Sequence, residues 1–400
     1  MKILHTADWH LGKKLGSIYR IEEQKIVLQE ICEIANTQNV DAVVIAGDLF
    51  DAFNPPTEAV ELFYSTLKKL SNNGTRPVIA IAGNHDSPDR IEAPNPLALL
   101  NGIFFIGYPK FVFPLFQADL PFTVTKSDES FIEIQLPTKE LLRIITAPFA
   151  NEFRLQEAFM TNKDAELVSF LTDFWQKIAD LYCDNKGVNI FIGHHLFLPT
   201  SDSPIEEPED EKPIQAISAL LPFSCIPAQI QYVALGHLHR FQIIHKNPPI
   251  VYSGSPLAYS FSEANQTKHV AIVELEANNP AKTEKIQLHS PLLLVRKIFN
   301  SCNEAITWLQ ENQNLYVELT IISDSYLQPS DIKAIYDVHS GIVAIIPQVT
   351  ILQSNQDKTI EISYEKSMEE LFEDYFMSKK NGQKPNDELK KMFRRILAEN

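Results

Sequence analysis

The stretch Asp41-Ala42-Val43-Val44-Ile45-Ala46-Gly47-Asp48-Leu49-Phe50-Asp51 decides how this chain is read. Ala42 to Ala46 is an unbroken apolar run rich in β-branched residues, the pattern of a strand buried on both faces. The run ends at a glycine and then a carboxylate, so a buried strand delivers Asp48 and, shortly after, Asp51. In α/β sheets, ligand sites gather at such carboxyl ends.

Working outward, the same punctuation recurs. Ile3-Leu4 opens a strand that runs into Asp8-x-His10. The run Pro77 to Ala82 ends at Gly83-Asn84-His85-Asp86. Runs at 188–192 and 231–235 end at Gly193-His194-His195 and Gly236-His237-Leu238-His239. Between the first strands, apolar positions at Ile21, Ile26, Leu28, Ile31, Ile34 and Ala35 predict a helix over 21–36, and 57–72 reads the same way. Strand, crossover helix, strand implies an α/β architecture with a parallel core. Further strands at 131–136, 141–146, 249–252 and 269–275 predict a second, more antiparallel sheet packed on the first.

From about 290 the pattern changes. Strand 292–298, helix 302–312, strand 315–322, helix 329–338 and strand 341–352 describe a small α+β domain. Ser367 and Glu370 carry the signature of a capping box opening another helix. After a break between Asn381 and Pro385, Leu389, Met392, Phe393, Ile396 and Leu397 predict a final amphipathic helix over 385–398. The expected division is a catalytic domain over 1–280, a small domain over 290–378 and a C-terminal helix over 380–400.

Composition narrows the function. No stretch reaches the 18 or so apolar residues of a membrane span. The N-terminal residues lack the apolar core of a signal peptide, so a cytoplasmic protein is expected. Cys32, Cys183, Cys225 and Cys302 stand far apart, which predicts reduced thiols rather than a zinc site or a disulfide framework. The formal net charge of −16 counts against a stand-alone DNA binder, since phosphate neutralisation by Lys and Arg usually drives that affinity. The charge is uneven, however: 201–212 is acidic and 379–400 is basic. A partner supplying much of the affinity fits this balance.

Taken singly, each motif has a plain structural reading. G-D-x-x-D suits a turn with Asp as a helix cap, G-N-H-D suits a tight turn, and a lone His is usually a satisfied core residue. G-H-x-H is more telling, because alternate residues on an extended segment point the same way. All five in order, each after an apolar run, describe a metal centre. Asp48 is a lone carboxylate able to bridge two cations, and Asn84 with four imidazoles completes two shells without excess negative charge. Such mixed ligation suits Mn²⁺, Fe or Zn²⁺ better than Mg²⁺ or Ca²⁺.

The order D-x-H, G-D-x-x-D, G-N-H-D, G-H, G-H-x-H resembles the calcineurin-like metallophosphoesterase family. Ile3 to Gly12, Ala46 to Asp51, Ala234 to Arg240 and Tyr252-Ser253-Gly254-Ser255-Pro256 are similar to the SbcD-type nuclease subunits within it. The likeness covers about 1–275 closely and continues loosely through 290–378, the position of that family's capping domain.

The resemblance implies a two-sheet sandwich flanked by helices, a small α+β capping domain and C-terminal helices. It implies two divalent cations, Mn²⁺ being the expected pair. Asp8, His10 and His239 would hold one, Asn84, His194 and His237 the other, with Asp48 bridging. His85 would protonate or stabilise the leaving oxygen. The G-D-x-x-D spacing adds Asp51 as a partner fixing the His85 tautomer. Of the adjacent His194 and His195, the one directly after Gly193 is favoured as ligand.

The resemblance further implies a nuclease of DNA repair, recombination and replication. It would act as an exonuclease on double-stranded ends and an endonuclease on single strands or hairpins. It implies a homodimer, formed through 57–72 and 94–101, within a heterotetramer with an SbcC-like coiled-coil ATPase, and a nucleoid-associated location. The C-terminal helix suits the ATPase, although its apolar stripe also suits packing on its own domain. The chain carries no G-x-x-x-x-G-K-[ST], which leaves the ATP site to the partner. The competing readings are a small-substrate metallophosphodiesterase and a non-catalytic scaffold. The domain beyond 290 argues against the first, and the full ligand set against the second.

Overall fold

The computed structural model describes residues 1–114, 118–157, 162–197, 220–289, 291–323, 327–349, 368–379, 385 and 389–393. It divides into two compact units, Met1–Gln348 and Val349–Asn400.

The first unit is built on two sheets. In the six-stranded sheet the order is Lys282–Leu288, Lys268–Glu274, Lys2–Thr6, Ala42–Ala46, Val78–Ile81 and Ile103–Ile106. The last four strands are mutually parallel, and the two at the other edge are antiparallel. The seven-stranded sheet runs Gln242–Lys246, Pro249–Tyr252, Tyr232–Leu235, Val188–Gly193, Leu141–Ala147, Phe131–Gln135 and Thr123–Asp128. Its central four strands are parallel and its outer ones antiparallel.

Alternation along each central strand explains the layering. One set of side chains, including Ile3, Val44, Ile79 and Phe104 from the first sheet and Ile144, Ile190 and Ala234 from the second, meets in a shared core between the sheets. The opposite set on the first sheet, Leu4, Val43, Ile45 and Val78, packs under helices Ile21–Thr37 and Thr57–Leu70. On the second sheet Ile145, Phe191 and Val233 pack under helix Lys163–Tyr182 through Leu171, Trp175 and Ile178. The arrangement is the expected sandwich flanked by helices, and it explains the unbroken apolar runs: these strands have no wet face.

The segment beyond 290 forms a three-stranded sheet, Leu293–Phe299, Leu315–Ser323 and Ile342–Val349, with helices Cys302–Glu311 and Pro329–Val338. It has its own core around Val317, Leu319, Ile321 and Ile335. It also shares an apolar contact with the catalytic portion, where Leu294 and Tyr316 meet Leu15 and Phe261.

The second unit contains helix Met368–Lys379, whose Phe372 stacks on Phe393 with ring centroids 4.1 Å apart and whose Glu373 pairs with Lys390. One member of the C-terminal apolar stripe is therefore used inside this unit, while Met392 remains 63% exposed. The acidic stretch 201–213, the cap at Ser367 and the end of the final helix lie outside the described residues. Among the described residues, no helix is long and apolar enough to cross a membrane. All four cysteines are free thiols.

Trp175 anchors the outer layer of the second sheet, fully buried and edge-on to Phe191. Trp175→Ala is expected to lower the unfolding free energy by about 3–5 kcal/mol, read by urea denaturation.

Candidate metal centre

The parallel strands of both sheets end at the same place. Thr6, Ala46 and Ile81 close strands of the first sheet, and Gly193 and Leu235 close strands of the second. The loops after them carry Asp8, Asp48, Asn84, His194 and His237. These ends approach so closely that the glycines cannot be replaced. A Cβ on Gly47 would lie 2.2 Å from Nδ1 of His194, and one on Gly83 would lie 2.1 Å from Oδ1 of Asp48. The ligand loops are also bent sharply: Asp8, His10, Asp48 and His237 adopt positive φ angles of 53°, 42°, 48° and 96°. Such conformations persist only where the surroundings enforce them, and they cluster at functional sites.

Two groups of donors form. Asp8, His10 and His239 present ligand atoms within 4.8 Å of one another, and so do Asp48, His194 and His237. In the first group, the Nε2 atoms of His10 and His239 lie 3.1 Å apart. In the second, Oδ1 of Asn84 sits 3.1 Å from Nε2 of His194 and 3.0 Å from Nδ1 of His237. Asp48 joins them, its Oδ2 lying 3.5 Å from Nε2 of His10 and 3.3 Å from Nε2 of His194. Its other oxygen, Oδ1, accepts the main-chain N–H of His85 at 2.9 Å, which fixes the carboxylate.

This donor set fits two cations. Atoms about 3 Å apart are spaced as neighbours around an ion bound at about 2.1 Å. Oδ2 of Asp8 is buried without a hydrogen-bond partner, an expensive condition that a cation would relieve. Burial holds His10 down at about 4 and His237 at about 3, so both imidazoles are neutral near pH 7, the form that ligates. The carboxyl of Asp8 is pushed up to about 7 by burial, against the pull of His194 and His239. His194 is affected most by burial, which lowers it, yet Asp48 and Asp8 together raise it to about 9. The cluster thus holds buried carboxylates short of positive charge.

The adjacent histidines separate. His194 donates Nδ1–H to the Ala46 carbonyl at 2.8 Å and turns Nε2 into the site. His195 faces the outer core, with Nε2 on the Pro148 carbonyl at 3.1 Å and its ring against Trp175 and Phe149.

His85 stands beside the first group, its ring centroid 4.8 Å from that of His10. Its Nδ1 bonds to an oxygen of Asp51 at 2.9 Å, but the oxygen is the main-chain carbonyl. The Asp51 carboxylate goes elsewhere, to Lys13 Nζ at 2.9 Å and towards His10 Nδ1 at 3.4 Å. The expected link between Asp51 and His85 is therefore made by the backbone, because the turn at 48–51 aims the carbonyl rather than the side chain at the ring.

Several supporting residues carry no assignment from sequence alone. Asp86 accepts the main-chain N–H groups of Leu49, Phe50 and Gly83 at 2.8–3.0 Å, clamping the two ligand loops together. Arg154 donates to the carbonyls of Gly83 and Asp86, both at 2.8 Å. Glu263 lies 3.3 Å from Nδ1 of His239 and pairs with Lys268. Asp86 lies inside the G-N-H-D motif and is visible there. Arg154 and Glu263 come from distant segments and carry no local signal.

Residues 1–241 match the family model described as calcineurin-like phosphoesterase. The chain belongs to that family. At full length it is 36% identical to the SbcD subunit of the SbcCD nuclease of Bacillus subtilis, over 100% of this chain and 98% of that protein. It is 30% identical to the protein of the same name from Staphylococcus epidermidis, over 84% of this chain and 83% of that one. The Escherichia coli K12 protein of that name is 27% identical over 93% and 92%. The phosphoesterase is thus a hydrolase of the SbcD nuclease type, and the family's use of divalent metals agrees with its two donor groups.

The two histidines after Gly193 allow a direct test. His194→Ala is expected to bind one Mn²⁺ fewer than the wild type by titration calorimetry, whereas His195→Phe keeps the full stoichiometry. The opposite pattern would reverse the assignment.

Proposed function

We propose that this chain is the nuclease subunit of an SbcCD-type complex and hydrolyses DNA phosphodiesters with two divalent cations, Mn²⁺ being the expected pair. The observation that carries the reading is the position of Asp48 Oδ2 between two donor groups, with His85 alongside. Asp8, His10 and His239 hold one cation, Asn84, His194 and His237 the other, and Asp48 both. Bound there, the pair supplies a Lewis-acidic clamp on the phosphate and an activated water.

The chain's own residues do the rest. The Asp51 carbonyl accepts a hydrogen bond from Nδ1–H of His85, so Nε2 is the atom that delivers or stabilises a proton at the leaving oxygen. Lys13, tethered to Asp51 at the rim, adds positive charge for the DNA backbone. Asp86 and Arg154 keep the 47–51 and 83–86 loops from drifting apart, so that His85 stays aligned.

On this reading the enzyme degrades double-stranded ends and cuts single strands or hairpins. It works as a homodimer within a heterotetramer with a coiled-coil SbcC-like ATPase, in the cytoplasm at the nucleoid. The relatives' names support the ATPase partnership. The exposed apolar face at Met392, beside basic residues, supports the second unit as the docking element.

Two measurements test this. End-labelled linear duplex should be degraded in Mn²⁺ and spared in EDTA. His85→Ala is expected to lower kcat by about 10²–10⁴-fold while leaving Mn²⁺ stoichiometry intact. Brisk hydrolysis of a small phosphodiester with intact DNA would overturn the nuclease reading. Truncation after Asn381 should preserve the thermal transition and abolish co-purification with the ATPase, and retained co-purification would remove that role from the C-terminal residues.

A further inference from the structure

A buried polar chain connects the small domain to one donor group. Tyr316, on the central strand of the small domain, donates its hydroxyl to Oε1 of Glu23 at 2.8 Å. Glu23 is 5% exposed and holds Arg20 through both carboxylate oxygens, at 2.5 and 2.6 Å. Arg20 is fully buried, lies with its guanidinium 4.9 Å from the Tyr316 ring centroid, and donates to the Ala258 carbonyl at 2.9 Å.

The next residue on the same helix turn faces the site. Gln24 donates to the His10 carbonyl at 2.8 Å and to the Tyr259 hydroxyl at 3.1 Å, and accepts the N–H of Gly12 at 3.1 Å. Tyr259 closes the circuit. Its hydroxyl donates to the Trp9 carbonyl, its ring is edge-on to both His10 and His239, and its N–H donates to the same Glu263 oxygen that faces His239.

A second observation points the same way. The apolar contact between the small domain and the catalytic portion joins Leu294, Tyr316 and Val343 to Leu15, Ile18, Ala258 and Phe261. The catalytic residues in it come from the loops after His10 and before Glu263, the two segments that position this donor group.

We infer that seating of the small domain, through Tyr316, sets the positions of His10 and His239 and so tunes the affinity of one of the two cation sites. Tyr316 is a positioning residue: it touches neither substrate nor ligand atoms and acts through Glu23, Arg20 and the 258–263 loop. The other donor group, Asp48, Asn84, His194 and His237, has no member in this circuit. Movement of the small domain would therefore weaken one site selectively. This inference rests on the two-cation reading above.

The test is Mn²⁺ binding by the full chain, followed by the electron paramagnetic resonance signal of free Mn²⁺. Tyr316→Phe keeps the ring and its contact with Arg20 but removes the hydroxyl. It should weaken one of two sites by about ten-fold, the scale of losing a group that orients a ligand, and leave the other unchanged. Glu23→Gln should weaken the same site, and KM for DNA should stay constant in both. Ile335→Val, a methylene lost from the small domain's own core, should lower the melting temperature and leave both affinities alone. Wild-type affinities at both sites in Tyr316→Phe and Glu23→Gln would overturn the inference, as would equal weakening of both sites. Because the readout is cation binding, failure to cut DNA would bear on the nuclease reading alone.

Discussion

The carboxylate of Asp48 has one oxygen tied to the His85 N–H and the other placed between two donor groups, and the rest of the structure is arranged around that placement. A carboxylate spends both oxygens this way only if its loop, the 83–86 loop and the second sheet all reach one point. The sandwich makes this possible because both sheets run their parallel strands toward the same edge. The glycines at 47 and 83 then allow backbones and side chains to approach within distances that any Cβ would block. Fold and site are the same constraint: the tight turn that removes a Cβ is also what presents the ligand.

Charge explains why the residues around this point are so heavily tied. Burying several carboxylates and imidazoles is costly unless each is paired or hydrogen-bonded. Here most ligands spend one polar atom on the protein and keep another for the site. Asp8 accepts the His237 N–H through Oδ1, His194 donates through Nδ1 to Ala46, and His239 leans on Glu263 through Nδ1. Preorganisation of this kind lowers the reorganisation needed on binding, and it orders the donors whatever the overall charge of −16. The residual negative charge of the cluster is then what draws cations in, and the cations in turn make a phosphate welcome on an acidic protein.

The sequence was legible where burial was two-sided. Ala42–Ala46, Val78–Ile81, Val188–Gly193 and Tyr232–Leu235 announced themselves as apolar runs, and their glycine ends marked the ligand loops. Strands Thr123–Asp128 and Lys282–Leu288 did not, because both are polar sheet edges whose side chains mostly face water. Ile103–Ile106 is too short to stand out, and helix Lys163–Tyr182 mixes charges into its apolar stripe. Among functional groups, those inside a motif could be read. Arg154 and Glu263 could not, since only the closed fold brings them to the loops they brace. Asp51 is the instructive case, because sequence spacing identifies which residue approaches His85 but not whether its side chain or its carbonyl makes the bond.

The positive φ angles at Asp8, His10, Asp48 and His237 tie the site to the core beneath it. Each costs of order 1 kcal/mol or more for a non-glycine residue, and none is favoured by the residue's own neighbours. Their coexistence in one cluster means the strain is sustained by the packed sheets below, whose central residues are almost wholly excluded from water. A ligand loop free to relax would leave this region and carry its donor away from the others. The large apolar core therefore has a function beyond stability: it stores the conformational work that keeps donors from five strand ends within bonding range of two ions. Loosening that core would be felt at the site before it was felt as unfolding, since the strained turns are the elements with most to gain by moving.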